Sequence, residues 1–239
     1  MKKNIPVVLL HGWNITGKKY SKLSDFLKKK GYKVYAPDLP GFGTESLLKK
    51  TLELDDYVLF LKTFLAKHSL PKIFLVGHSF GGRVSIKFTA KYPQNIKKLI
   101  LTGVPGLPPV RGCKIKFFGF VSKAGKIVFS LPLLSVFQKY ARKGIYKLAG
   151  ASDYQIASGK LKETFLKIIR EDLVTPMQKI SVPTVLIWGK KDKSVPEKIA
   201  KEMSRIITNS ILEVFPQSGH KLPYENTDEF ARTLLKHLK

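Results

Sequence analysis

The chain has 239 residues, of which 44% are apolar, and this is enough to build one well-packed domain. Lysine and arginine number 43 against 17 acidic residues, for a net charge of +26, but only six of the basic residues are arginines. A nucleic-acid-binding protein is expected to contact bases with arginine and to concentrate its positive charge on one element. Lysines here occur in almost every predicted helix, so we expect no nucleic-acid partner.

The first predicted element is an apolar strand near residues 6–10, shortly after two lysines. Lysines followed by apolar residues also begin signal peptides, but this stretch is too short for an h-region and runs into His11 and Gly12, so we interpret it as a core strand. The single cysteine excludes an internal disulfide, and no run approaches the roughly 20 apolar residues of a membrane span. We expect a cytoplasmic protein without a membrane span.

Hydrophobic patterning along the rest of the chain predicts strands that alternate with helices. The predicted strands lie near 6–10, 33–36, 73–76, 97–102, 184–188 and 211–215. The predicted helices lie near 20–30, 54–68, 80–91, 196–207 and 222–238. This alternation is typical of an α/β fold in which helices cover both faces of a parallel sheet.

The third predicted strand and the third predicted helix flank the motif GHSFGG at 77–82. A G-x-S-x-G match alone arises by chance in roughly one chain of this length in fifteen. Here the continuous apolar run before the motif indicates a buried strand, and the helical spacing of apolar residues after it indicates a helix. A serine at such a strand-to-helix turn holds its hydroxyl exposed, which makes Ser79 the candidate nucleophile. The alternative is a turn serine without chemistry.

The interval from Pro105 to Pro176 interrupts the alternation of strands and helices. Its residue pattern is typical of helices and not of strands, and the interval is too long to be an unstructured loop. We therefore predict a helical cap at 105–176 that is inserted into a core formed by 1–104 and 177–239.

An amphipathic helix is predicted inside this cap, because apolar residues that include Phe117, Phe120 and Val121 recur at i, i+3 and i+4 spacing. Most of such a face packs on the core, but a cap must also cover the cleft, so we interpret these three residues as substrate-binding. Their aromatic and aliphatic character favours an acyl or other apolar portion of the substrate. Docking of this helix on a membrane surface is the alternative.

A serine nucleophile needs a histidine base and an acid that orients the histidine. Asp192 follows the predicted strand at 184–188, and His220 follows the predicted strand at 211–215. Both lie past the carboxyl ends of strands, where open parallel sheets place their sites, and the chain order serine, acid, histidine is the one found with this turn motif. We expect Ser79, Asp192 and His220 to form a catalytic triad, with the backbone N–H of Phe80 as one oxyanion donor.

Over essentially its whole length the chain resembles the α/β-hydrolases. Beyond the serine motif, the segments that match landmarks of that superfamily are LLHGW at 9–13, DLPGFG at 38–43, VPTVLIWGKKDKSVP at 182–196 and SGH at 218–220. The combination of HGW with DLPGFG is similar to the pimeloyl-carrier-protein methyl esterases, the small carboxylesterases and the C–C bond hydrolases. The methyl esterases tend to have tryptophan before the serine, where this chain has histidine.

The resemblance implies an α/β-hydrolase fold with a mostly parallel sheet, helices on both faces and an inserted helical cap. It also implies that the second oxyanion donor is the backbone N–H of Trp13, next to a structural His11. We assign His78 and Asp38 structural roles as well. The antiparallel hairpin that usually precedes the first strand in this superfamily has no counterpart in the sequence, so we expect a smaller sheet.

These patterns predict a serine hydrolase that cleaves carboxylic esters of short to medium acyl chains and requires no cofactor. No clustered ligand spacing suggests a metal. C–C bond hydrolysis, thioester hydrolysis and perhydrolysis use the same triad, and a non-catalytic small-molecule binding protein can share the fold. The expected partner is a small-molecule ester, and the lysine excess fits either a solvated surface or an acidic partner such as an acyl carrier protein.

Overall fold

The structure is a computed structural model, and it describes residues 5–44, 50–107 and 159–239. The strands in this part of the chain are β1 (Val7–Leu10), β2 (Val34–Tyr35), β3 (Ile73–His78), β4 (Ile96–Thr102), β5 (Thr184–Gly189) and β6 (Ser210–Phe215). They form one sheet in the order β2-β1-β3-β4-β5-β6, and all neighbouring pairs are parallel. The sheet confirms the predicted α/β class.

Helices occupy most of the connections between these strands. They are α1 (Ser21–Lys29), α2 (Leu54–Lys67), α3 (Phe80–Lys91), α4 (Gly159–Arg170), α5 (Val174–Gln178), α6 (Glu197–Ile206), α7 (Leu222–Glu225) and α8 (Thr227–His237), with short 3-10 helices at Gly17–Tyr20 and Pro93–Asn95. None of the helices in the described ranges combines the length and the apolar character that crossing a membrane requires.

Side chains of the sheet alternate between two cores, because successive residues of a strand point to opposite faces. In β1, Val8 and Leu10 join the core that contains buried residues of α2 and α3, whereas Val7 and Leu9 join the core that contains buried residues of α1 and α8. All four side chains are buried. A strand covered on both faces needs apolar residues at successive positions, which explains the continuous apolar runs in the sequence.

The predicted C-terminal helix at 222–238 is interrupted at Asn226, so its prediction as one continuous helix is wrong. The side-chain amide of Asn226 donates to Ser218 Oγ at 3.1 Å, and the backbone of this residue is not helical. Asn226 therefore holds the preceding loop instead of continuing the helix. The break allows α8 to pack against α1, with Phe230 and Leu234 in the core on that side.

The predicted cap is described at residues 105–107 and in its last part, which contains α4 and most of α5. The hydroxyl of Thr164 in α4 accepts the backbone N–H of Leu52 at 2.9 Å, which ties this helix to the segment before α2. Residues 108–158 lie outside the described residues, and they include the three predicted cap residues Phe117, Phe120 and Val121.

The sheet order determines where a ligand site can form. Strands β2 and β3 lie on opposite sides of β1, so the connections that leave β1 and β3 diverge from each other. In open α/β sheets, such a switch point leaves a crevice at the carboxyl ends of the strands, where ligands bind. The loop after β1 begins at His11 and the turn after β3 contains Ser79, so both meet at this crevice.

Candidate active site

Ser79 occupies a strained turn between β3 and α3. Its backbone has φ 52° and ψ −114°, a conformation that a residue with a side chain adopts at a cost of about 1–3 kcal/mol. The backbone N–H of Ser79 donates to the carbonyl of Thr102 at 3.0 Å, which fixes the turn to the end of β4. Strain of this kind persists where the surrounding structure enforces it, and it exposes the serine hydroxyl at the crevice.

Two glycines of the motif allow the close packing that this turn requires. A Cβ atom on Gly77 would lie 2.4 Å from Ser85 Oγ, and one on Gly81 would lie 2.4 Å from the carbonyl oxygen of Leu10. The backbone N–H of Gly81 donates to the carbonyl of His11 at 3.0 Å, so the turn is also joined to the loop after β1. The glycines of G-x-S-x-G are therefore explained by backbone packing.

Asp192 and His220 form a hydrogen-bonded pair beside the turn. The ring Nδ1 of His220 lies 2.8 Å from Asp192 Oδ2. The other carboxylate oxygen, Oδ1, accepts the backbone N–H groups of Ser194 at 2.8 Å and Val195 at 2.7 Å. The Asp192 side chain is 1% exposed, whereas that of His220 is 22% exposed. The carboxylate is thus fixed and buried, and one edge of the imidazole remains open to the crevice.

Gly103 provides the space for this pair, and the sequence analysis did not single it out. It follows β4 directly and has φ +58°, a left-handed conformation that favours glycine. A Cβ atom there would lie 2.9 Å from His220 Nδ1, inside normal contact distance. A glycine directly after a strand that neighbours the serine strand was the available signal.

Ser79 and His220 line one cavity of about 440 Å³. The predicted oxyanion residues Trp13 and Phe80 line it as well. Phe80 is the first residue of α3, so its backbone N–H has no partner carbonyl within the helix. The structure therefore brings the predicted triad and oxyanion residues to a single site.

His11 shapes the loop that carries Trp13. Its Nε2 accepts the backbone N–H of Leu39 at 2.8 Å, and its Nδ1 lies 2.7 Å from the carbonyl oxygen of Gly12. The ring is buried, and this burial lowers the pKa of His11. His11 thus joins the first motif, HGW, to the second, DLPGFG. Asp38 in the second motif accepts the backbone N–H of Gly17 at 2.8 Å.

The described wall of the cavity is lined by both apolar and polar side chains. Its apolar residues are Trp13, Ile15, Phe80, Pro105, Phe165, Ile168, Ile169 and Val195. Three of them belong to α4, so the described part of the predicted cap contributes to the wall. The substrate-binding residues predicted from the sequence, Phe117, Phe120 and Val121, come earlier in the cap and lie outside the described ranges.

Arg83 is a second residue that sequence analysis missed. It lies four residues after Ser79 on α3, lines the cavity and is 2% exposed. Its guanidinium donates to three backbone carbonyls, of Pro105, of Ile168 at 2.7 Å and of Glu171 at 2.5 Å. The sequence shows only an arginine directly after the nucleophile motif, and the structure explains it as a bridge to α4.

Within the described ranges, no three histidine, cysteine or carboxylate side chains come together as a group that could hold a metal ion. The chemistry available at the cavity is that of a serine hydroxyl, an imidazole supported by a carboxylate, and backbone N–H donors. This set of groups is suited to attack on a carbonyl carbon.

The parallel sheet, the strained serine turn and the placement of the acid and histidine after successive strands define the α/β-hydrolase class. A family model described as serine aminopeptidase, S33, matches residues 2–227. The chain therefore belongs to this family of α/β-hydrolases.

Known proteins with similar sequences or structures cover nearly the whole chain. A 2-hydroxy-6-oxononadienedioate/2-hydroxy-6-oxononatrienedioate hydrolase of Klebsiella pneumoniae is 26% identical over 248 residues, which cover 97% of this chain and 86% of the relative. The AB hydrolase superfamily protein YisY of Bacillus subtilis is 26% identical and covers 94% of this chain and 88% of its own length. An esterase from Exiguobacterium antarcticum shares the fold with a TM-score of 0.78 at 23% identity, over 100% of this chain and 93% of that one.

Proposed function

We propose that this protein is a serine hydrolase that cleaves carboxylic esters of short to medium acyl chains through an acyl-enzyme. The observation that carries the proposal is the cavity that Ser79 and His220 share, with Asp192 bonded behind the histidine. A serine becomes a nucleophile when a base lies within reach and a third group orients that base. Membership of a hydrolase family supports the same reaction class.

In the proposed reaction, Ser79 Oγ attacks the substrate carbonyl carbon while Nε2 of His220 takes the hydroxyl proton. The bond from Nδ1–H to Asp192 keeps the neutral ring in the tautomer whose Nε2 lone pair is free, and it stabilises the imidazolium that forms. The imidazolium then protonates the leaving alcohol, which leaves the acyl group on the serine. Water, activated by the same histidine, hydrolyses the acyl-enzyme.

The negative charge that develops on the carbonyl oxygen needs donors that are already in place. We assign this role to the backbone N–H groups of Phe80 and Trp13. The N-terminus of α3 begins at Phe80, so its dipole also favours negative charge at this point. The contact of Gly81 with the carbonyl of His11 fixes the two donor loops relative to each other.

The substrate class in the proposal follows from the cavity wall. Aromatic and aliphatic side chains form part of the wall around the serine, and each methylene buried against them contributes up to about 0.8 kcal/mol. A volume of about 440 Å³ lies in the lower half of the range of roughly 300–1,000 Å³ typical of small-molecule sites. These two features support acyl chains of short to medium length.

C–C bond hydrolysis is the second candidate, because a relative that covers 97% of this chain is named as a hydroxy-oxo-dienedioate hydrolase. The same three residues serve such a reaction. A panel of chromogenic esters of graded acyl length, assayed beside a hydroxy-oxo-dienoate, separates the two candidates. Turnover of the dienoate alone would favour the second.

Replacing the nucleophile tests both candidates. Ser79→Ala is expected to lower kcat by at least about a thousandfold while the protein stays folded, because the covalent route is lost. A fluorophosphonate probe is expected to label the wild type on Ser79, with a new Oγ–P bond and loss of fluoride. Labelling is read by mass spectrometry of the modified peptide.

Ser194→Ala is the matched control for this experiment. Ser194 lines the same cavity, and its contact with Asp192 is made by the backbone N–H, which alanine retains. This variant is expected to keep wild-type labelling. Normal ester turnover by Ser79→Ala would refute the serine-hydrolase proposal.

A further inference from the structure

His78, the residue before the proposed nucleophile, has two side-chain hydrogen bonds that the reaction above does not use. Its Nδ1 lies 2.8 Å from the hydroxyl of Tyr20, and its Nε2 lies 3.0 Å from the backbone carbonyl oxygen of His220. The His78 ring is 2% exposed, and Tyr20 is equally buried. The contact with Tyr20 is therefore buried, and the contact with His220 is partly buried.

The chemistry of the partners fixes the direction of both bonds. A carbonyl oxygen only accepts, so Nε2 of His78 carries the proton and donates to His220. In the neutral ring Nδ1 then has a free lone pair, which accepts the hydroxyl proton of Tyr20. Burial, together with the nearby His220 ring, lowers the pKa of His78 to about 3, so the ring stays neutral over the physiological range.

Tyr20 extends this arrangement to the loop after β1. Burial raises the pKa of Tyr20 well above its usual value, and a hydrogen bond from the backbone of Gly12 acts in the opposite direction. Gly12 also packs against His78, since a Cβ atom on it would lie 3.2 Å from Nδ1. The ring of Tyr224 closes the group, with its centroid 6.0 Å from Tyr20 and 5.8 Å from His78.

The strand order places the proposed base far from the serine strand. Ser79 follows β3 and His220 follows β6, and two strands lie between them. At about 4.8 Å per strand, β3 and β6 are roughly 14 Å apart. The loop after β6 must therefore return across the sheet edge to bring the imidazole to the serine. Asp192 holds the ring of His220, and His78 holds its backbone.

We propose that Tyr20 and His78 are positioning residues for the hydrolysis proposed above, acting as an uncharged hydrogen-bond chain that holds the backbone of His220 beside the serine turn. The inference rests on the proposed roles of Ser79 and His220. It adds that the chain Tyr20, His78, His220 carbonyl links the loops after β1, β3 and β6.

Tyr20→Phe is the direct test, because it removes one hydroxyl and keeps the aromatic packing. We expect kcat for a chromogenic ester to fall about 10–100-fold with KM within twofold of the wild type, as for a base displaced by a fraction of an ångström. We also expect faster amide hydrogen exchange in the peptide spanning 216–224, a readout that is independent of turnover.

Tyr32→Phe is the matched control. Tyr32 is also buried in the same core, and its hydroxyl donates to the backbone carbonyl of Leu238 at 2.5 Å, away from the cavity. The Tyr32→Phe variant therefore loses a comparable buried hydrogen bond. We expect its kcat and its amide hydrogen exchange at 216–224 to stay near wild-type values. Equal changes in the two variants would mean a general loss of stability and would overturn the proposal.

Two substitutions of His78 test the chain at its centre. His78→Gln keeps an N–H donor that can reach the carbonyl of His220, whereas His78→Leu keeps none, so we expect kcat to fall in the order wild type, Gln, Leu. A Tyr20→Phe enzyme with wild-type kcat and wild-type exchange would refute the positioning role even if Ser79 is labelled. Failure of the wild type to react with fluorophosphonate would instead refute the proposed function, and exchange at 216–224 would still decide the hydrogen-bond chain.

Discussion

At the scale of single residues, the two oxygens of Asp192 have different partners. Oδ1 accepts two backbone N–H groups, from Ser194 and Val195, and Oδ2 faces Nδ1 of His220. The turn that follows β5 is further fixed by Trp188, whose indole N–H donates to the carbonyl of Val195 at 2.8 Å. The orientation of the carboxylate is thus determined by the backbone around it.

This asymmetry predicts the effect of Asp192→Asn. The amide oxygen must take the Oδ1 position to accept the two backbone donors, which leaves the NH₂ group facing His220. The imidazole then has to accept at Nδ1 and carry its proton on Nε2, so it cannot take the proton of Ser79. We expect kcat to fall on the order of ten-thousandfold with KM nearly unchanged, measured by steady-state ester hydrolysis.

Asp172→Asn is the control for this substitution, because Asp172 also accepts a backbone N–H, that of Val174 at 2.9 Å, but lies between α4 and α5 and not beside His220. We expect it to retain wild-type turnover. If Asp192→Asn kept turnover within about tenfold of the wild type, another carboxylate would have to orient the histidine.

At the scale of elements, Arg83 joins α3 to α4. Two of the carbonyls that it binds belong to Ile168 and Glu171, at the C-terminal end of α4, where a helix carries partial negative charge. Burial lowers the pKa of Arg83 to about 10, so the guanidinium stays charged at neutral pH. A charged donor fixed on the serine helix thus positions the helix that supplies part of the cavity wall.

Arg83→Met is expected to lower the free energy of unfolding by about 3 kcal/mol, because the apolar stem is retained while buried carbonyls lose a charged donor. Urea denaturation measures this. Arg205→Met is the comparison, since the Arg205 side chain is exposed and its ion pair with Glu202 contributes less than about 1 kcal/mol. An Arg83→Met protein as stable as the wild type would contradict the bridging role.

At the scale of the whole molecule, buried neutral histidines couple stability to pH. Burial lowers the pKa of both His11 and His78, the latter to about 3. The groups around His78 are His220, His11, Tyr20 and Tyr224, and none of them is a carboxylate. In the unfolded chain a histidine has a pKa of about 6.5, so the unfolded state takes up the proton first as the pH falls.

The stability that the neutral rings of His11 and His78 contribute above pH 6.5 is therefore expected to be lost as the pH falls toward their lowered pKa values in the folded state. His78 alone accounts for about 1.6 kcal/mol between pH 6.5 and 5. Urea titrations of the wild type and His78→Gln at several pH values measure this, because the difference in unfolding free energy between the two proteins should change by that amount. A difference that is constant with pH would show that folding does not lower the pKa of His78.

The sequence by itself determined the elements and their class, because a strand buried on both faces requires a continuous apolar run, and a helix requires a repeat near 3.6 residues. These are local properties, and strands β3 to β6 lie close to their predicted positions. The helix predicted at 222–238 failed at Asn226, because a hydrogen bond to Ser218 in a preceding loop overrides the local pattern.

Ser79, Asp192 and His220 could be selected from the sequence because each follows a strand, and the carboxyl ends of parallel strands meet at one edge. The roles of Gly103 and Arg83 and the contact between Tyr20 and His78 could not be predicted from the sequence. Gly103 is explained by a Cβ position 2.9 Å from His220, and Arg83 by carbonyls more than 20 residues away. Tyr20 and His78 are 58 residues apart, and His78 and His220 are 142 apart. Such contacts depend on the order in which the strands pair, and the tertiary structure alone decides that order, because each strand's apolar pattern is compatible with several neighbours.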